Sequence, residues 1–534
     1  MTTAKKNQGL DIIIVGAGFS GIYMLHCARE AGFSAKVVEA GSGIGGTWFW
    51  NRYPGARCDA PSMEYSYQFD KQLQQDWTWS EKYSSQAEIL SYMEHVVERL
   101  NLADGIQLNT RIASAAYDED HCSWKLLSTE GEQFSAKFCI FATGCLSNAS
   151  RPVFENESAF EGAIYHTGEW PHEEVDFSGQ KVAVIGTGSS GIQSITAIAK
   201  QAKELTVFQR TPAFSVPSHN RPFHEGEQEE IKAHYDDLRA SARSQFGNME
   251  FEPNERCAGE MSEEEIQQEL EHRWELGGLK WYGVFADFLL DKEANDIAAN
   301  FVRKKIREIV KDSATAEKLL PATIFGCKRV VTDTGYYETF NRENVELVDI
   351  SSTPIEGYTE KGLLAGGKEY EFDVVVLATG YDAMTGALLQ MDILGRGGQT
   401  LKDKWQAGPV NYLGLQVAGF PNMFMVTGPG SPSVLSNMMP SIELHVEYIR
   451  DTLVYLRDKQ KNSIEAKSEA EESWVSHVNE AAEASLLLGC NSWYLGANIP
   501  GKPRVFMPYL GCPPYEEKIR EVANSGYSGF ELKD

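Results

Sequence analysis

Two glycine-rich segments of this 534-residue chain have residue types and spacing that suit a dinucleotide. The first carries Gly16, Gly18, Ser20 and Gly21, and the second consists of Gly186, Thr187, Gly188, Ser189, Ser190 and Gly191. In a GxGxxG turn the first glycine permits the tight bend, the second lets a pyrophosphate approach the backbone, and the third lets the helix pack on the strand. The N-terminus of that helix then faces the phosphates. Two such turns predict two bound dinucleotides, with these residues as candidates for cofactor binding.

The residues that follow the two turns differ in charge. Glu39 stands 23 residues after Gly16, where a carboxylate can accept hydrogen bonds from ribose hydroxyls. Gln209 stands at the same distance from Gly186 and is followed by Arg210. A carboxylate there would repel a 2′-phosphate, whereas a guanidinium binds it through charge-assisted hydrogen bonds. The second site is therefore predicted to take NADPH rather than NADH; the alternative is an arginine exposed at a strand end without a ligand.

The dinucleotide beside NADPH is most economically FAD, because enzymes with two dinucleotides usually pass a hydride from nicotinamide to flavin. A disulfide reductase of this architecture needs a nearby pair of cysteines. Cys139 and Cys145, the nearest thiols, have neither CxxC nor CxxxxC spacing, which excludes that chemistry. The expected cofactors are FAD and NADPH, and no metal ion is expected.

Each glycine turn lies between two short apolar runs that would position it. Residues 12–38 contain an apolar run, the glycine turn, a helical stretch and a second apolar run, which is the pattern of a βαβ unit. Residues 182–208 repeat this pattern. Two further apolar runs, within 137–148 and 371–382, each end in a small-residue turn and suit strands covered on both faces. The fold class is therefore predicted to be α/β, with two Rossmann-like dinucleotide-binding domains.

The late position of the run within 371–382 implies that the chain leaves one domain and later returns to it. We predict a helical insertion, because Ser262 and Glu265 have the spacing of a capping box ahead of apolar residues at helical spacing. The acidic stretch 464–483 is predicted to be an amphipathic helix whose charges face water. The predicted boundaries are 1–150 and 387–534 for the FAD-binding domain, 151–218 and 328–386 for the NADP-binding domain, and 219–327 for the insertion.

Composition limits the possible partners and compartment. The formal net charge is −27, which argues against a nucleic-acid or anionic-membrane partner because phosphate surfaces would be repelled. The N-terminus lacks the pattern of a signal peptide, and no stretch is suited to span a membrane. Nine cysteines, an odd number without a CxxC pair, predict reduced thiols in a cytoplasmic protein.

Two longer motifs carry a resemblance to a known family. The segment FEGAIYHTGEWP contains Phe160, Gly162, His166, Trp170 and Pro171, and the segment GGTWFWNRYPGARCD covers 45–59. The first resembles the FxGxxxHxxxWP fingerprint of the type I Baeyer–Villiger monooxygenases, and the second resembles a further motif of that family. With ATGYD at 378–382 and GPGSPSVLSNMM at 428–439, the resemblance covers essentially the whole chain and is closest to the phenylacetone, steroid and cyclohexanone monooxygenases.

The resemblance implies a flavoprotein that uses NADPH and dioxygen to convert ketones to esters or lactones through a C4a-peroxyflavin, with possible sulfoxidation. It makes Arg329, in GCKRVVTD, the catalytic arginine. A guanidinium has no accessible neutral form, so it can keep a peroxide anionic and donate to the tetrahedral oxyanion without losing its proton. Asp59 corresponds to the acid that orients this arginine, and the pair limits the cost of burying the charge. The alternative for Arg329 is a surface ion pair.

The resemblance also implies further cofactor neighbours. Lys328 corresponds to the lysine that reaches the NADP 2′-phosphate together with Arg210 and Thr211. Trp493 corresponds to a tryptophan on a mobile loop that closes over NADP and substrate; the alternative is a core aromatic. The implied FAD neighbours are Ser20, Glu39, Thr47, Trp48, Tyr65 and Met438.

Two other functions stay open. A flavin-containing monooxygenase would oxidise amines or sulfides through a protonated hydroperoxide, and it has no need of Pro171 or of the acid–arginine pair. A non-catalytic redox sensor would bind both nucleotides and signal by its shape.

His166 and Trp170 are expected to be structural, and Cys145 stands where some relatives carry a larger polar side chain, so the pocket should differ there. The expected partners are a small-molecule ketone and dioxygen, and the residues do not specify the physiological ketone or the oligomeric state.

Overall fold

The computed structural model describes residues 9–534. Within this range the strands, in chain order, are β1 (Leu10–Val15), β2 (Ala35–Val38), β3 (Ile106–Gln107), β4 (Ile112–Asp118), β5 (Ser123–Ser128), β6 (Gln133–Phe141), β7 (Ala163–His166), β8 (Lys181–Ile185), β9 (Glu204–Gln209), β10 (Ser215–Pro217), β11 (Val331–Asp333), β12 (Val345–Asp349), β13 (Ile355–Thr359), β14 (Gly362–Ala365), β15 (Lys368–Glu371), β16 (Val374–Leu377), β17 (Asp392–Leu394), β18 (Met423–Met425), β19 (Ser463–Ala466) and β20 (Phe530–Lys533). The α-helices are α1 (Phe19–Glu30), α2 (Thr47–Trp50), α3 (Lys71–Asp76), α4 (Gln86–Arg99), α5 (Ser189–Ile198), α6 (Glu227–Ala233), α7 (Tyr235–Ser244), α8 (Glu263–Leu276), α9 (Lys292–Ile309), α10 (Ser313–Leu319), α11 (Tyr336–Thr339), α12 (Gly386–Leu389), α13 (Leu401–Lys404), α14 (Met438–Asp458), α15 (Ser468–Glu483) and α16 (Cys512–Asn524).

The first sheet has the order β17-β4-β5-β6-β1-β2-β3, and β18 pairs with β6 beside this path. Strand β1 is parallel to β2 and β6, whereas β4, β5 and β6 form an antiparallel meander. The central strand β1 reads LDIIIV, and Ile12, Ile13 and Ile14 have no exposed surface because both faces of the sheet are covered. Helix α1 packs against α14, so the last part of the chain helps to bury the first glycine turn.

The second sheet has the order β12-β9-β8-β16-β7, and all of its strand pairs are parallel. Strand β16 lies between β7 and β8 although 188 residues separate it from the end of β8. The chain therefore leaves this sheet and returns to it, as the sequence predicts. The α/β fold class with two Rossmann-like units is confirmed, while the domain boundaries remain predictions.

The excursion between the two parts of this sheet is helical and contains α6 to α10. At the start of α8 the Ser262 hydroxyl accepts from the Glu265 N–H at 3.3 Å, and the Glu265 carboxylate accepts from the Ser262 N–H at 2.8 Å. The predicted capping box is thus present. Strands β10 and β11 pair in parallel at the base of the excursion, which brings the chain back directly after residues 328 and 329.

The prediction for 464–483 is wrong in two respects. Its first residues form β19, which is antiparallel to β20, and helix α15 begins only at Ser468. Glu471 is also buried: its carboxylate accepts from the Ala418 N–H at 2.9 Å and pairs with Lys404 at 2.7 Å. Both features depend on contacts with distant parts of the chain, which helical periodicity does not contain.

The prediction of reduced cysteines is wrong for one pair. Cys327 and Cys490 form a disulfide between positions 163 residues apart. The pair lacks any signature spacing because it is the fold that brings the end of the insertion beside the C-terminal segment. The remaining cysteines are free thiols: Cys27, Cys58, Cys122, Cys139, Cys145, Cys257 and Cys512.

Across residues 9–534, the helices all fall short of the length and apolar character that a bilayer crossing requires. The prediction about a signal peptide falls largely on residues 1–8, which lie outside the described residues.

Candidate active site

A continuous cavity of about 2250 Å³ connects the two Rossmann-like units. Open α/β sheets bind ligands at the carboxyl ends of their strands, and both glycine turns line the cavity at these ends. Of the residues selected from the sequence, it is lined by Gly16, Gly18, Ser20, Glu39, Thr47, Trp48, Asp59, Tyr65, Met438, Gly186, Thr187, Gly188, Ser189, Ser190, Arg210, Thr211, Lys328, Arg329 and Trp493. The structure therefore brings most of the candidate residues together around one space.

The first glycine turn has no space for side chains, which leaves its backbone open to a phosphate. Gly16 has a φ of +107°, and a Cβ there would lie 2.6 Å from the carbonyl oxygen of Ala142. A Cβ on Gly21 would lie 1.8 Å from the Gly16 oxygen, so Gly21 serves helix packing and stays outside the cavity. Helix α1 begins at Phe19 without a side-chain cap, which leaves its first N–H groups available to an anion.

Glu39 is held rigidly at the end of β2. Its side chain is buried, with one carboxylate oxygen accepting from the Ala17 N–H and the other from the Gly41 N–H, both at 2.7 Å. A carboxylate oxygen accepts more than one hydrogen bond, so both oxygens keep capacity for ribose hydroxyls. The backbone of the turn thus orients the acid.

The second glycine turn repeats this construction and is more open. Gly186 has a φ of +109°, and a Cβ there would lie 2.4 Å from the Ala378 oxygen. A Cβ on Gly191 would lie 2.2 Å from the Gly186 oxygen, so this glycine also serves packing and lies outside the cavity. Gly188 has no atom within 4 Å of its Cβ position, and helix α5 follows without a side-chain cap. A pyrophosphate therefore has direct access to the backbone.

Three residues form a polar, cationic margin beside the second turn. Arg210 and Thr211 follow β9 and are exposed, and the Thr211 carbonyl accepts from the Thr187 hydroxyl at 3.1 Å. Lys328 is partly buried on the facing segment. Burial lowers the pKa of Lys328 from its ordinary value, and the nearby Arg210 charge lowers it further. Two cations that repel each other in this way are suited to a doubly charged phosphate.

The structure does not bring Gln209 into the cavity. Its side chain is 2% exposed, and its amide nitrogen donates to the Lys318 carbonyl at 2.7 Å. Alternate side chains of a strand point to opposite faces, and at the end of β9 Gln209 turns toward the protein interior while Arg210 faces the cavity.

Arg329 and Asp59 form a paired group inside the cavity. The Arg329 Nε donates to one Asp59 oxygen at 2.5 Å, and Nη2 donates to the other at 3.1 Å. Nη1 donates to the Val434 carbonyl at 2.8 Å and to the Ser436 carbonyl at 3.5 Å. The guanidinium is thus fixed between the 45–59 motif and the 428–439 loop, both of which belong to the predicted FAD-binding domain.

The charge state of Arg329 follows from this geometry. Burial by itself disfavours the cation, but the negative charge and hydrogen bonds of Asp59 outweigh burial and raise the pKa of Arg329 above its ordinary value. The tyrosines Tyr282 and Tyr494 lie near enough to act in the same direction. The site therefore holds a permanent cation beside an apolar wall.

Aromatic side chains line the cavity near the first glycine turn. Trp48, on the short helix α2, donates its indole N–H to the Tyr65 hydroxyl at 3.2 Å, and the two rings meet edge to face. Thr47 begins that helix and Met438 begins α14, so each lies where a helix N-terminus meets the cavity.

Residues 486–504, hereafter the cover segment, close one side of the cavity. Trp493 lines the cavity and packs against Tyr494, which is 1% exposed; the core aromatic is therefore Tyr494 and not Trp493. The Asn498 amide donates to the Tyr381 carbonyl at 2.8 Å. Lys502 contacts the Asp382 carboxylate and donates to the Ala383 carbonyl at 2.9 Å. The segment is thereby held against the ATGYD turn.

The sequence analysis missed the residues that join the two Rossmann-like units. The Gln193 amide, on α5, accepts from the Tyr53 hydroxyl at 2.9 Å and donates to the Arg57 carbonyl at 3.1 Å. Tyr53 and Arg57 lie inside the 45–59 motif, which is a signal that the sequence offers. Gln193 lies two residues beyond the end of the glycine turn and belongs to no motif. These bonds fix the distance between the two nucleotide crevices.

Two other residues of the motifs have structural surroundings. His166 accepts from the Gly168 N–H through Nδ1 at 3.0 Å and lies 3.1 Å from the Thr379 hydroxyl through Nε2. Burial lowers the pKa of His166, in keeping with a neutral ring at the end of β7. Cys145 lies in the cavity wall, where burial raises the pKa of its thiol to about 11, so it is an apolar surface and not a nucleophile.

Comparisons with known proteins agree with this site. Residues 13–246 match the model of the family described as pyridine nucleotide-disulphide oxidoreductase. The chain is 43% identical to a phenazine N-monooxygenase of Lysobacter antibioticus, over 98% of this chain and 97% of that protein. It is 40% identical to a Baeyer-Villiger monooxygenase of Pseudooceanicola batsensis, over 99% of this chain and 97% of that protein.

Solved structures of related monooxygenases are also similar to this chain over nearly its full length. An oxidised steroid monooxygenase bound to NADP is 50% identical with a TM-score of 0.94, covering 98% of this chain and 100% of that one. The OTEMO complex with FAD and NADP is 37% identical with a TM-score of 0.94, covering 99% and 100%. With two glycine cradles, a cationic margin and an arginine–aspartate pair in one cavity, the chain belongs to the family of Baeyer–Villiger monooxygenases.

Proposed function

We propose that this protein converts ketones to esters or lactones with NADPH and dioxygen, and that it can also oxidise sulfides. The observation that carries the proposal is the Arg329–Asp59 pair, which lies in the cavity shared by both glycine turns. FAD and NADPH are the cofactors, in keeping with the family. When bound, NADPH supplies a hydride to FAD, and the reduced flavin supplies the electrons that activate dioxygen.

The chain's own residues hold the two cofactors in this proposal. The first turn would hold FAD, with Glu39 as acceptor for its ribose hydroxyls and with Trp48 and Tyr65 available to its ring system. The second turn would hold NADPH, and Arg210 and Lys328 would bind its 2′-phosphate. Arg329 lines the cavity that both turns share, so its guanidinium would lie near the place where the two dinucleotides could meet.

Arg329 supplies the positive charge that the reaction needs. Oxygen insertion beside a carbonyl places negative charge on an oxygen atom, and a fixed N–H donor in a site of low polarity stabilises such charge strongly. The raised pKa of Arg329 keeps it from giving up a proton to that oxygen. Asp59 positions the guanidinium through two hydrogen bonds and limits the cost of burying it.

The proposal extends to partners and compartment. A small-molecule ketone and dioxygen are the reactants, and neither nucleic acid nor membrane is a partner, which the net charge of −27 supports. A cytoplasmic location is proposed because seven of the nine cysteines are free thiols.

A second candidate is oxidation of an aromatic nitrogen. It is favoured by the 43% identity to the phenazine N-monooxygenase over nearly the full length of both chains. The same cavity would serve, with an electron-rich nitrogen in place of the ketone.

Product analysis on wild type and Arg329→Ala tests the proposal. The wild-type flavoenzyme should form esters or lactones from a panel of cyclic, aromatic and steroidal ketones. Loss of one preorganised donor lowers a rate about 100-fold or more, so the variant should lose ester formation to at least that extent. It should still be reduced by NADPH, as followed by flavin absorbance without oxygen. Arg342→Ala, at an exposed arginine outside the cavity, serves as the control and should behave like wild type.

Two results would count against the proposal. Ester formation by Arg329→Ala at the wild-type rate would remove Arg329 from the reaction. An N-oxide from phenazine, with no ester from any ketone of the panel, would favour the second candidate instead.

A further inference from the structure

The disulfide joins two segments that meet at the cavity. Cys327 directly precedes Lys328 and Arg329, and Cys490 lies in the cover segment three residues before Trp493. The two Cα atoms are 6.3 Å apart, within the ordinary range for a disulfide. This bond is a covalent link between the backbone that carries the arginine and the segment that covers the cavity.

The two sulfurs differ in access. Cys327 is 1% exposed, whereas Cys490 is partly exposed and lines the cavity. A small oxidant or thiol can therefore reach Cys490 from the cavity. Of the free cysteines in residues 9–534, Cys58 and Cys145 also line the cavity but are buried, whereas Cys122 and Cys257 are partly exposed and lie outside it. Cys490 is therefore the cysteine sulfur that is most accessible from the cavity.

Besides the disulfide, the cover segment is held by contacts at its ends and by the buried side chains of Leu487 and Tyr494. The Leu486 N–H donates to the Leu289 carbonyl at 2.8 Å, and Asn498 and Lys502 bind the ATGYD turn. Between these ends the segment consists mainly of short 3₁₀ turns, with Gly489 lying against Ile324. Few hydrogen bonds join the stretch around Cys490 to other segments, so without the disulfide this stretch should open at a lower free energy than the anchored parts of the segment.

We propose that Cys327 and Cys490 form a reversible redox site that fastens the cover segment when oxidised and releases it when reduced. Disulfides in cytosolic proteins are usually transient or redox-sensing, so the proposed location favours a site that cycles. The inference rests on the proposed function only for the role of Arg329. The covalent chemistry and its effect on the segment stand apart from the substrate.

The redox steps balance with hydrogen peroxide as oxidant and a dithiol as reductant. The Cys490 thiolate attacks one peroxide oxygen and the O–O bond breaks. Hydroxide is the leaving group, and Cys490 becomes a sulfenic acid. The Cys327 thiol attacks that sulfur, the S–O bond breaks and water leaves, so two thiols and one peroxide yield one disulfide and two waters. For reduction, one dithiol sulfur attacks Cys490, and its second sulfur closes a ring to release both protein thiols.

Mass spectrometry with hydrogen exchange tests the proposal on the purified flavoenzyme. One sample is treated with hydrogen peroxide and one with dithiothreitol, thiols are blocked, and non-reduced digests are searched for the Cys327–Cys490 linked peptide. The linked peptide should be abundant in the first sample and absent from the second. Exchange of residues 486–504 should be about fivefold faster or more in the reduced sample, with both Rossmann-like sheets unchanged.

Variants separate this effect from general loosening. Cys490→Ser should show fast exchange of the cover segment under both treatments, and Cys257→Ser should behave like wild type. The comparison of oxidised with reduced wild type needs no variant, so it holds even if Cys490→Ser folds poorly. Absence of the linked peptide after peroxide treatment, or equal exchange in oxidised and reduced wild type, would overturn the proposal. Because neither readout involves a ketone, failure here is distinguishable from failure of the proposed function.

Discussion

The Arg329 side chain has five N–H donors, and its three nitrogens already bind Asp59, Val434 and Ser436. A lysine has a single nitrogen and could not reach both Asp59 oxygens and a carbonyl from one position. The site thus requires the planar shape of a guanidinium as well as its charge. The hydrogen bonds to these three residues therefore account for an arginine at position 329.

Lys328 leads to a prediction about pH. Its pKa is lowered by burial and by Arg210, so it loses its proton at a lower pH than an ordinary lysine does. Since a phosphate binds the ammonium form, the KM for NADPH should rise as the pH increases from about 8 to about 10, below the usual lysine pKa of about 10.4. Initial rates of NADPH oxidation in air-saturated buffer, at a series of NADPH concentrations, give this KM at each pH.

Lys328→Arg is the matched variant for that experiment. A guanidinium stays charged throughout this range, so the variant's KM should stay flat where the wild-type value rises. An equal alkaline rise in both proteins would mean that another group titrates.

Gln209 shows what residue spacing leaves out. Its position after the second glycine turn was predictable, because 23 residues separate it from Gly186 just as they separate Glu39 from Gly16. Its orientation was not, because it depends on the carbonyl of Lys318, more than a hundred residues away. Spacing locates a residue on a strand end, while distant contacts decide which way its side chain turns.

At the scale of elements, the cover segment depends on a partly buried ion pair. The side chains of Lys502 and Asp382 are 10% and 24% exposed, and the pair ties the segment to the ATGYD turn. Lys502→Met keeps the aliphatic stem and removes the charge. We expect it to weaken NADP⁺ binding about tenfold, equivalent to about 1.4 kcal/mol, because the closed segment becomes less populated.

Calorimetric titration of the flavoenzyme with NADP⁺ measures this change. Lys518→Met removes a charge from an exposed pair with Glu521 and should leave the affinity as it is. Unchanged affinity in Lys502→Met would show that the ion pair does not hold the segment closed.

Elements with a strong local pattern were predictable from the sequence. The strands beside both glycine turns follow from their apolar runs, and α8 follows from the Ser262–Glu265 box. Strand β19 was mistaken for the start of a helix because its partner, β20, lies at the far end of the chain. The disulfide between Cys327 and Cys490 was missed for the same reason. The Arg329–Asp59 pair spans 270 residues and came from the family resemblance, since no spacing rule reaches that far.

At the scale of the whole molecule, the two Rossmann-like units meet closely at Gly55. This glycine has a φ of +82°, and a Cβ there would lie 2.6 Å from the Gln193 carbonyl oxygen on α5. Gly55→Ala should therefore push the two crevices apart while each unit keeps its own core. A misplacement of about 1 Å can slow a reaction about 100-fold, so hydride transfer from NADPH to flavin should slow at least about tenfold.

Stopped-flow reduction of the flavin measures that rate, and the FAD content should remain full. Gly131→Ala is the control: Gly131 has a φ of +87° but no atom within 4 Å of its Cβ position. It carries the same backbone cost, about 1–2 kcal/mol, without touching the interface. If both variants transfer hydride equally fast, close packing at Gly55 does not set the distance.

The carbonyls that fix Arg329 have a consequence for the order of synthesis. Val434 and Ser436 lie 105 and 107 residues after the arginine they bind. Until that stretch has been translated, the guanidinium lacks two of its hydrogen-bond acceptors, so the part of the site around Arg329 stays incomplete and solvated. Maturation of the reactive centre therefore waits until at least the first 436 of the 534 residues have been translated, even though the first glycine turn lies within the opening twentieth of the chain.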